Sequence, residues 1–182
     1  KKHGMQATGT SLYQRMTPEL KERLGKALRK FGFDPAMADA MKPWLVATLL
    51  ALGEFSALGY SPALAVDLHL AQLARERNVP VTELETIDSQ LALFSAVPEP
   101  EHLRFLEEAV TLLEQGKQAA EVRQVVAAWS SADKAGLDAI AKRIEEDQTA
   151  GGRFMREVIL ERRNVTMAEK LEKLLAQKNN SV

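Results

Sequence analysis

An acidic residue follows a short β-branched segment near the middle of the chain. Residues 79–84 read Val-Pro-Val-Thr-Glu-Leu, and Glu85 comes directly after them. Because ligands of open α/β sheets bind beyond the carboxyl ends of strands, Glu85 is a candidate to contact a metal, a water molecule or a substrate cation. The alternative is that its carboxylate caps the helix predicted to begin near Ile87, since acids favour helix N-termini.

A second carboxylate, Asp67, falls on an apolar helical face. In the helix predicted over residues 61–77, Asp67 shares that face with Leu70 and Ala74. A carboxylate buried there would need a partner, because an unpaired buried charge is costly. Two interpretations stay open: a structural acid that caps a neighbouring helix or pairs with an arginine, and an acid that supports an active site.

Arg163 and Asn164 interrupt the apolar pattern of the last helical segment. If that helix is continuous, Asn164 lies on the same stripe as Met167, where a polar amide must find hydrogen-bond partners. Arg163 lies beside it and can present a fork-shaped cation to a carboxylate such as Glu85 or Asp67. The alternative is an ordinary interhelical salt bridge.

Other catalytic and metal-binding patterns are absent from the sequence. It contains no Gly-rich phosphate loop, no His-Glu-x-x-His and no Gly-x-Ser-x-Gly. His3, His69 and His102 are too scattered to suggest a metal cluster. The absence of cysteine excludes disulfides, thiolate zinc sites and a cysteine nucleophile. No metal site is therefore predicted from this chain alone.

Helices must position these side chains, because apolar residues recur at helical spacing through most of the chain. Start signals such as Thr17-Pro18 and stop signals such as Gly32 separate the helices. The predicted fold is a mainly α, multi-helix domain with one short strand near residues 79–84. A strand that follows a helix in this way needs a partner strand, so we expect it to join a sheet completed outside this chain.

A Gly-containing linker at residues 149–152 divides the chain into two parts. Residues 1–150 are predicted to form a helical lobe with the short strand, and residues 151–182 a C-terminal helical segment that packs back on it. That segment is either one long helix or two helices broken near residues 164–166. The chain opens at Lys1 rather than at methionine, so we expect it to be a piece of a longer protein.

The composition and charge of the chain bear on whether nucleic acid or a membrane is an expected partner. The 182 residues carry 24 basic and 25 acidic side chains, a net charge of −1, without a basic stripe, so nucleic acid is not an expected partner. The longest apolar run, residues 44–53, is far shorter than the ~20 residues that span a bilayer, so no membrane span is expected. The lack of cysteine is compatible with a reducing cytosol and with an oxidising periplasm.

Five short motifs along the chain carry a family resemblance. They are Lys42-Pro43-Trp44, Val66-Asp67-Leu68-His69-Leu70, Asn78-Val79-Pro80-Val81-Thr82-Glu83-Leu84-Glu85-Thr86, Gln90-Leu91-Ala92-Leu93-Phe94 and Arg163-Asn164-x-x-Met167-Ala168. In order and spacing they resemble the TraB/GumN family, which includes the TIKI metalloproteases, and the agreement spans residues 17–176. Arg162 departs from the pattern, because the family usually has a glutamate at that position.

The resemblance implies a metal-dependent hydrolase whose α/β core is related to the erythromycin esterase fold. The family's two Gly-x-x-His motifs, which are thought to form its metal site, have no counterpart here, since no histidine has a glycine three residues before it. The implied divalent metal therefore belongs to the complete protein, and none is expected in this chain. The implied catalytic residues are Glu85, as metal ligand or general base, and Arg163, which would stabilise negative charge; Asp67 and Asn164 would support them.

Two classes of function follow from these observations. The first is a fragment of a metal-dependent hydrolase or protease that acts on a peptide or protein substrate and is inactive by itself. The second is a non-enzymatic helical module that binds a peptide or a protein. The exposed strand edge also predicts a homodimer, since unpaired edges recruit partners.

Overall fold

Helices form most of the described chain. The computed structural model describes residues 3–176, and its α-helices are α1 (Pro18–Lys30), α2 (Pro35–Ala38), α3 (Pro43–Ala57), α4 (Val66–Glu76), α5 (Ile87–Ser95), α6 (Glu99–Glu114), α7 (Lys117–Ser130), α8 (Lys134–Glu146), α9 (Ala150–Arg153) and α10 (Arg162–Leu175). Short 3-10 turns cover Tyr13–Arg15 and Pro62–Leu64, and a π-helical segment covers Phe154–Glu161. The prediction of a mainly helical fold is confirmed. Within these residues, no helix combines the length and apolar character that crossing a bilayer requires.

The ends of α1 show why the sequence signals were reliable. The Thr17 hydroxyl accepts a hydrogen bond from the Leu20 backbone N–H at 3.2 Å, and a proline follows it at the first helical position. At the other end Gly32 adopts a φ of +77°, a conformation that glycine tolerates well. The Phe33 N–H then donates to the Leu28 carbonyl at 3.0 Å, which closes the helix.

The hydrophobic core lies between α1, α3 and α6. α3 and α6 pack against each other, and α1 packs against α6. Leu24, Val46, Leu50, Leu106 and Val110 are fully buried there. Each such side chain contributes about 1.5–3 kcal/mol through its removal from water. This core holds α6 in place, and α6 in turn carries the C-terminal part of the chain.

The predicted strand at residues 79–84 does not form, so that prediction was wrong. These residues make an irregular connection between α4 and α5, and no strand occurs within residues 3–176. An isolated antiparallel bridge joins Met5 to Met41. A β-branched segment becomes a strand only when a neighbour pairs its backbone groups, and the described chain places no such neighbour beside it. Membership of a larger α/β fold stays a prediction.

Residues 60–86, called the arm below, contain no buried residue. The helix predicted over 61–77 begins only at Val66, after the 3-10 turn. The apolar side chains of the arm face solvent: Leu64 is 80% exposed, and Val66 and Leu70 are each 58% exposed. The face on which Asp67 lies is therefore open, and Asp67 itself is exposed.

The C-terminal part is one continuous helical segment from Ala150 to Leu175, built from α9, the π segment and α10. The irregularity lies in the π segment rather than near residues 164–166, where a break was one of the two predicted alternatives. α9 packs against α6, and the π segment contacts α5 and α8. Residues 177–182 of the predicted segment 151–182 lie outside the described residues, and the division into two domains stays a prediction.

Candidate functional site

Arg163 and Glu85 form a two-pronged ion pair although they are 78 residues apart in sequence. The Arg163 Nε donates to Glu85 Oε1 at 3.0 Å and to Oε2 at 3.1 Å, and Nη2 also donates to Oε1. The Arg163 side chain is 27% exposed and the Glu85 side chain 15% exposed. Of the two carboxylates considered as partners of Arg163, the structure brings Glu85 to it and leaves Asp67 in solvent.

The start of α5 positions Glu85. Thr86 is the N-cap residue: its hydroxyl accepts from the Ser89 backbone N–H at 3.1 Å, and its own N–H donates to the Ser89 hydroxyl at 3.0 Å. This reciprocal capping box fixes the direction in which the chain enters the helix. Glu85 immediately precedes Thr86, and its carboxylate contacts the Gln90 side chain of the same helix. The alternative that Glu85 itself caps this helix is wrong, because Thr86 performs that role.

The π segment positions Arg163 from the other side. Its wider turn is visible where the Arg162 backbone N–H donates to the carbonyl of Glu157, five residues earlier. Because a π turn contains more residues than an α turn, it changes the direction in which the side chains that follow it point. Arg163 is the second residue after this segment, so the direction of its side chain is set just beyond the π turn.

The electrostatics of the pair favour the charged form of both groups. The Arg163 guanidinium, through its hydrogen bonds, holds the pKa of Glu85 below its ordinary value even though partial burial acts in the opposite direction. The Gln90 amide and the charge of Lys170 act in the same direction as Arg163. Glu85 in turn raises the pKa of Arg163. The carboxylate is therefore ionised at neutral pH, which suits a ligand of cations better than a proton acceptor.

The side chains of the two predicted supporting residues, Asp67 and Asn164, do not join this pair. Asp67 is exposed in the first turn of α4, where a negative charge favours the helix N-terminus. Asn164 follows Arg163 directly but is exposed on α10. Within residues 3–176 neither side chain hydrogen-bonds to Glu85 or Arg163. Their supporting role therefore stays a prediction.

An aromatic cluster anchors α5 beneath the ion pair. The Trp44 ring stacks on Phe94 with 4.4 Å between ring centroids, and Phe94 lies 5.2 Å from Phe154 of the π segment. Phe154 also has the ring of buried His102 against it, at 6.3 Å. Two of the sequence motifs, Lys42-Pro43-Trp44 and the one ending at Phe94, thus meet in space. They hold α5 against the segment that carries Arg163.

The TraB/PrgY/gumN family matches residues 1–182. The chain belongs to this family. The family resemblance inferred from the five motifs is therefore confirmed.

Two curated proteins are similar to the chain. The uncharacterized protein YbaP of Escherichia coli K12 is 26% identical over 101 residues, which are 56% of this chain and 38% of YbaP. YbaP of Shigella flexneri shows the same identity and coverage. The chain thus spans well under half the length of the curated relatives it matches. No significant match to a solved structure was found.

The divalent metal that we expect in the complete protein has no ligand set among the described residues by themselves. Within residues 3–176 there is no group of three or more histidine, cysteine, aspartate or glutamate side chains that could hold a metal ion. Glu85 offers a single carboxylate, and both of its oxygens already accept hydrogen bonds from Arg163. Any metal in the natural protein would therefore need ligands from outside these residues.

Gln90 had no predicted role, although the residue lies in one of the TraB/PrgY/gumN motifs. Its Nε2 donates to Glu85 Oε1 at 2.8 Å. A partial signal was present: Thr86 and Ser89 are spaced for a capping box, and the residue before an N-cap often packs against the fourth helical residue. Here those two positions are Glu85 and Gln90. Their contact was therefore predictable once the cap was placed at Thr86.

Proposed function

We propose that, in the natural TraB/PrgY/gumN protein, this chain supplies the Glu85–Arg163 pair to the active site of a hydrolase that cleaves a peptide or similar acyl bond. The observation that supports the proposal is the two-pronged contact between these residues, which belong to different family motifs and are 78 residues apart. The chain by itself should be inactive, because this pair supplies neither a metal ion nor a nucleophile.

Glu85 would act in that site as a fixed negative charge. Its lowered pKa, caused first by Arg163, makes it a weak proton acceptor at neutral pH, whereas an efficient general base has a pKa near the working pH. We therefore favour a role in binding a cation or a hydrogen-bond donor over a role as general base. Arg163 would hold the carboxylate in place and stabilise negative charge through the N–H groups that Glu85 does not use.

A divalent metal stays part of the proposal for the natural protein only. When bound, such an ion would activate water or polarise the scissile carbonyl. The described residues contribute Glu85 as one carboxylate near such a centre, and the remaining ligands would have to come from elsewhere in the protein.

The test is hydrolysis by the natural full-length protein of a quenched-fluorescence peptide library, with divalent metal supplied. Glu85→Gln should lower kcat/KM by ~100-fold or more, as expected when a preorganised charge is removed from an active site. Glu83→Gln is the matched control: it makes the same chemical change two residues away at an exposed position, and should leave the rate unchanged. Equal rates for the two variants, or no hydrolysis by the unmodified protein, would contradict the proposal.

The second candidate function is a non-enzymatic module that binds a peptide or protein. The arm favours it, because Leu64, Val66 and Leu70 are each more than half exposed, and several large apolar side chains exposed in one segment suit an interaction site. The homodimer predicted through a strand edge belongs to this class, although residues 79–84 form no strand here. Sedimentation velocity and peptide-array binding with Leu70→Asp, against Gln72→Asp on the polar face, test it. If neither association nor binding responds to Leu70→Asp alone, the arm is not a binding surface.

A further inference from the structure

The two oxygens of the Glu85 carboxylate are unequally occupied. Oε1 accepts from Arg163 Nε at 3.0 Å, from Arg163 Nη2 and from Gln90 Nε2 at 2.8 Å. Oε2 accepts only from Arg163 Nε, at 3.1 Å, among the hydrogen bonds of residues 3–176. A carboxylate oxygen has two lone pairs, so Oε1 is saturated while Oε2 keeps acceptor capacity.

Local structure rather than chance places Gln90 against Oε1. Gln90 is the fourth residue of α5, and Glu85 is the residue before its N-cap. In many helices these two positions carry apolar side chains that pack together and fix the entry angle of the chain. Here the same positions carry an amide and a carboxylate, and the contact between them is a hydrogen bond of 2.8 Å.

Contacts at both ends of α5 support the contact between Gln90 and Glu85. Phe94 lies one helical turn after Gln90 on the same face and stacks on Trp44 with centroids 4.4 Å apart. The capping box of Thr86 and Ser89 fixes the first turn at the other end. These two contacts hold α5 on both sides of Gln90 and support the position of its amide beside Glu85.

We propose that Gln90 is a positioning residue: together with Arg163 it saturates Oε1 of Glu85, so that Oε2 is the oxygen offered to the bound group. The group that Oε2 meets must then be a cation or a hydrogen-bond donor, such as a metal ion, a water molecule or an ammonium. The effect on catalysis rests on the proposed function, whereas the contacts of Gln90 and Arg163 with Oε1 do not. Gln90 itself does not touch the substrate.

The test combines a carboxyl titration with kinetics on the natural full-length protein. The titration of Glu85 is followed by ¹³C NMR in two variants that remove the donor without adding a charge: Gln90→Leu, and Gln90→Met, which is closer to glutamine in shape and keeps the packing if the first variant folds poorly. Both changes should move the Glu85 titration to higher pH, since the Gln90 amide lowers the pKa of Glu85. Gln72→Leu is the matched control. Gln72 makes the same amide-to-carboxylate contact with Glu76, at 2.9 Å on exposed α4, so its loss should leave the titration of Glu85 unchanged.

A positioning role also predicts a specific kinetic pattern. Gln90→Leu should lower kcat about tenfold with little change in KM, because misplacing a reacting group affects the chemical step more than binding. An unshifted Glu85 titration in both folded Gln90 variants would overturn the inference, whatever the kinetics. If the titration shifts but the unmodified protein hydrolyses nothing, the positioning stands and the proposed function fails.

Discussion

Breaking the Glu85–Arg163 pair should loosen the end of the arm while leaving the core folded. Three N–H···O contacts join the two side chains, and both are mostly shielded from solvent. Exposed ion pairs contribute about 0.2–1 kcal/mol, whereas removing one partner of a buried pair costs about 3–5 kcal/mol. The geometry of this pair lies between those limits. We therefore expect a coupling free energy of about 1–3 kcal/mol.

A double-mutant cycle measures that coupling. Urea unfolding of the unmodified chain, Glu85→Gln, Arg163→Gln and the double variant isolates the pairwise free energy. The control cycle uses Lys134 and Asp138, an i,i+4 pair whose side chains are 85% and 66% exposed, for which about 0.3–0.5 kcal/mol is expected. Hydrogen exchange adds the location: amides that are protected by closure of the arm should exchange about 5- to 150-fold faster in Arg163→Gln.

Two results would refute this reasoning. A coupling for Glu85 and Arg163 no larger than that of the control pair would mean that the contact does not hold the arm. Unchanged exchange of the arm amides in Arg163→Gln would mean that the pair does not keep the arm closed.

Three further predictions concern stability and are measured by urea unfolding. Leu106→Ala should cost about 2–5 kcal/mol, because Leu106 is fully buried in the core, whereas Leu64→Ala in the exposed arm should cost under about 0.5 kcal/mol. Gly53→Ala should cost about 1–3 kcal/mol, since the added Cβ would lie 2.5 Å from the Phe31 ring. Burial and, to a lesser extent, the charge of Lys42 lower the pKa of His102 below its ordinary value of 6.5. The stability that neutral His102 contributes is therefore fully present above pH 6.5 and is lost as the pH falls through the lowered pKa. His102→Gln should remove this acid dependence of the unfolding free energy.

The helices and their ends were predictable from sequence, because capping is a local interaction. Thr17 and Gly32 mark the limits of α1 through hydrogen bonds that involve neighbouring residues only. The prediction of a strand was wrong for the opposite reason. The β-branched character of residues 79–84 describes what the segment can do beside a partner strand, and pairing is a long-range property that composition does not contain.

The sequence identified the residues of the candidate site better than it predicted their arrangement. The types of Glu85 and Arg163 suggested a carboxylate–guanidinium contact, and that contact forms. No pattern in the sequence marked the π segment before Arg163, because its wider turn depends on packing against α5 and α8. Asp67 was expected on a buried face, but the described chain supplies nothing to cover α4.

A crystal structure of the natural full-length protein would test the central claim most directly. We predict that Arg163 Nε lies within hydrogen-bond distance of both Glu85 oxygens, as it does here at 3.0 and 3.1 Å. If instead the guanidinium and the carboxylate are more than about 4 Å apart, beyond the range of an ion pair, the account of this site is contradicted.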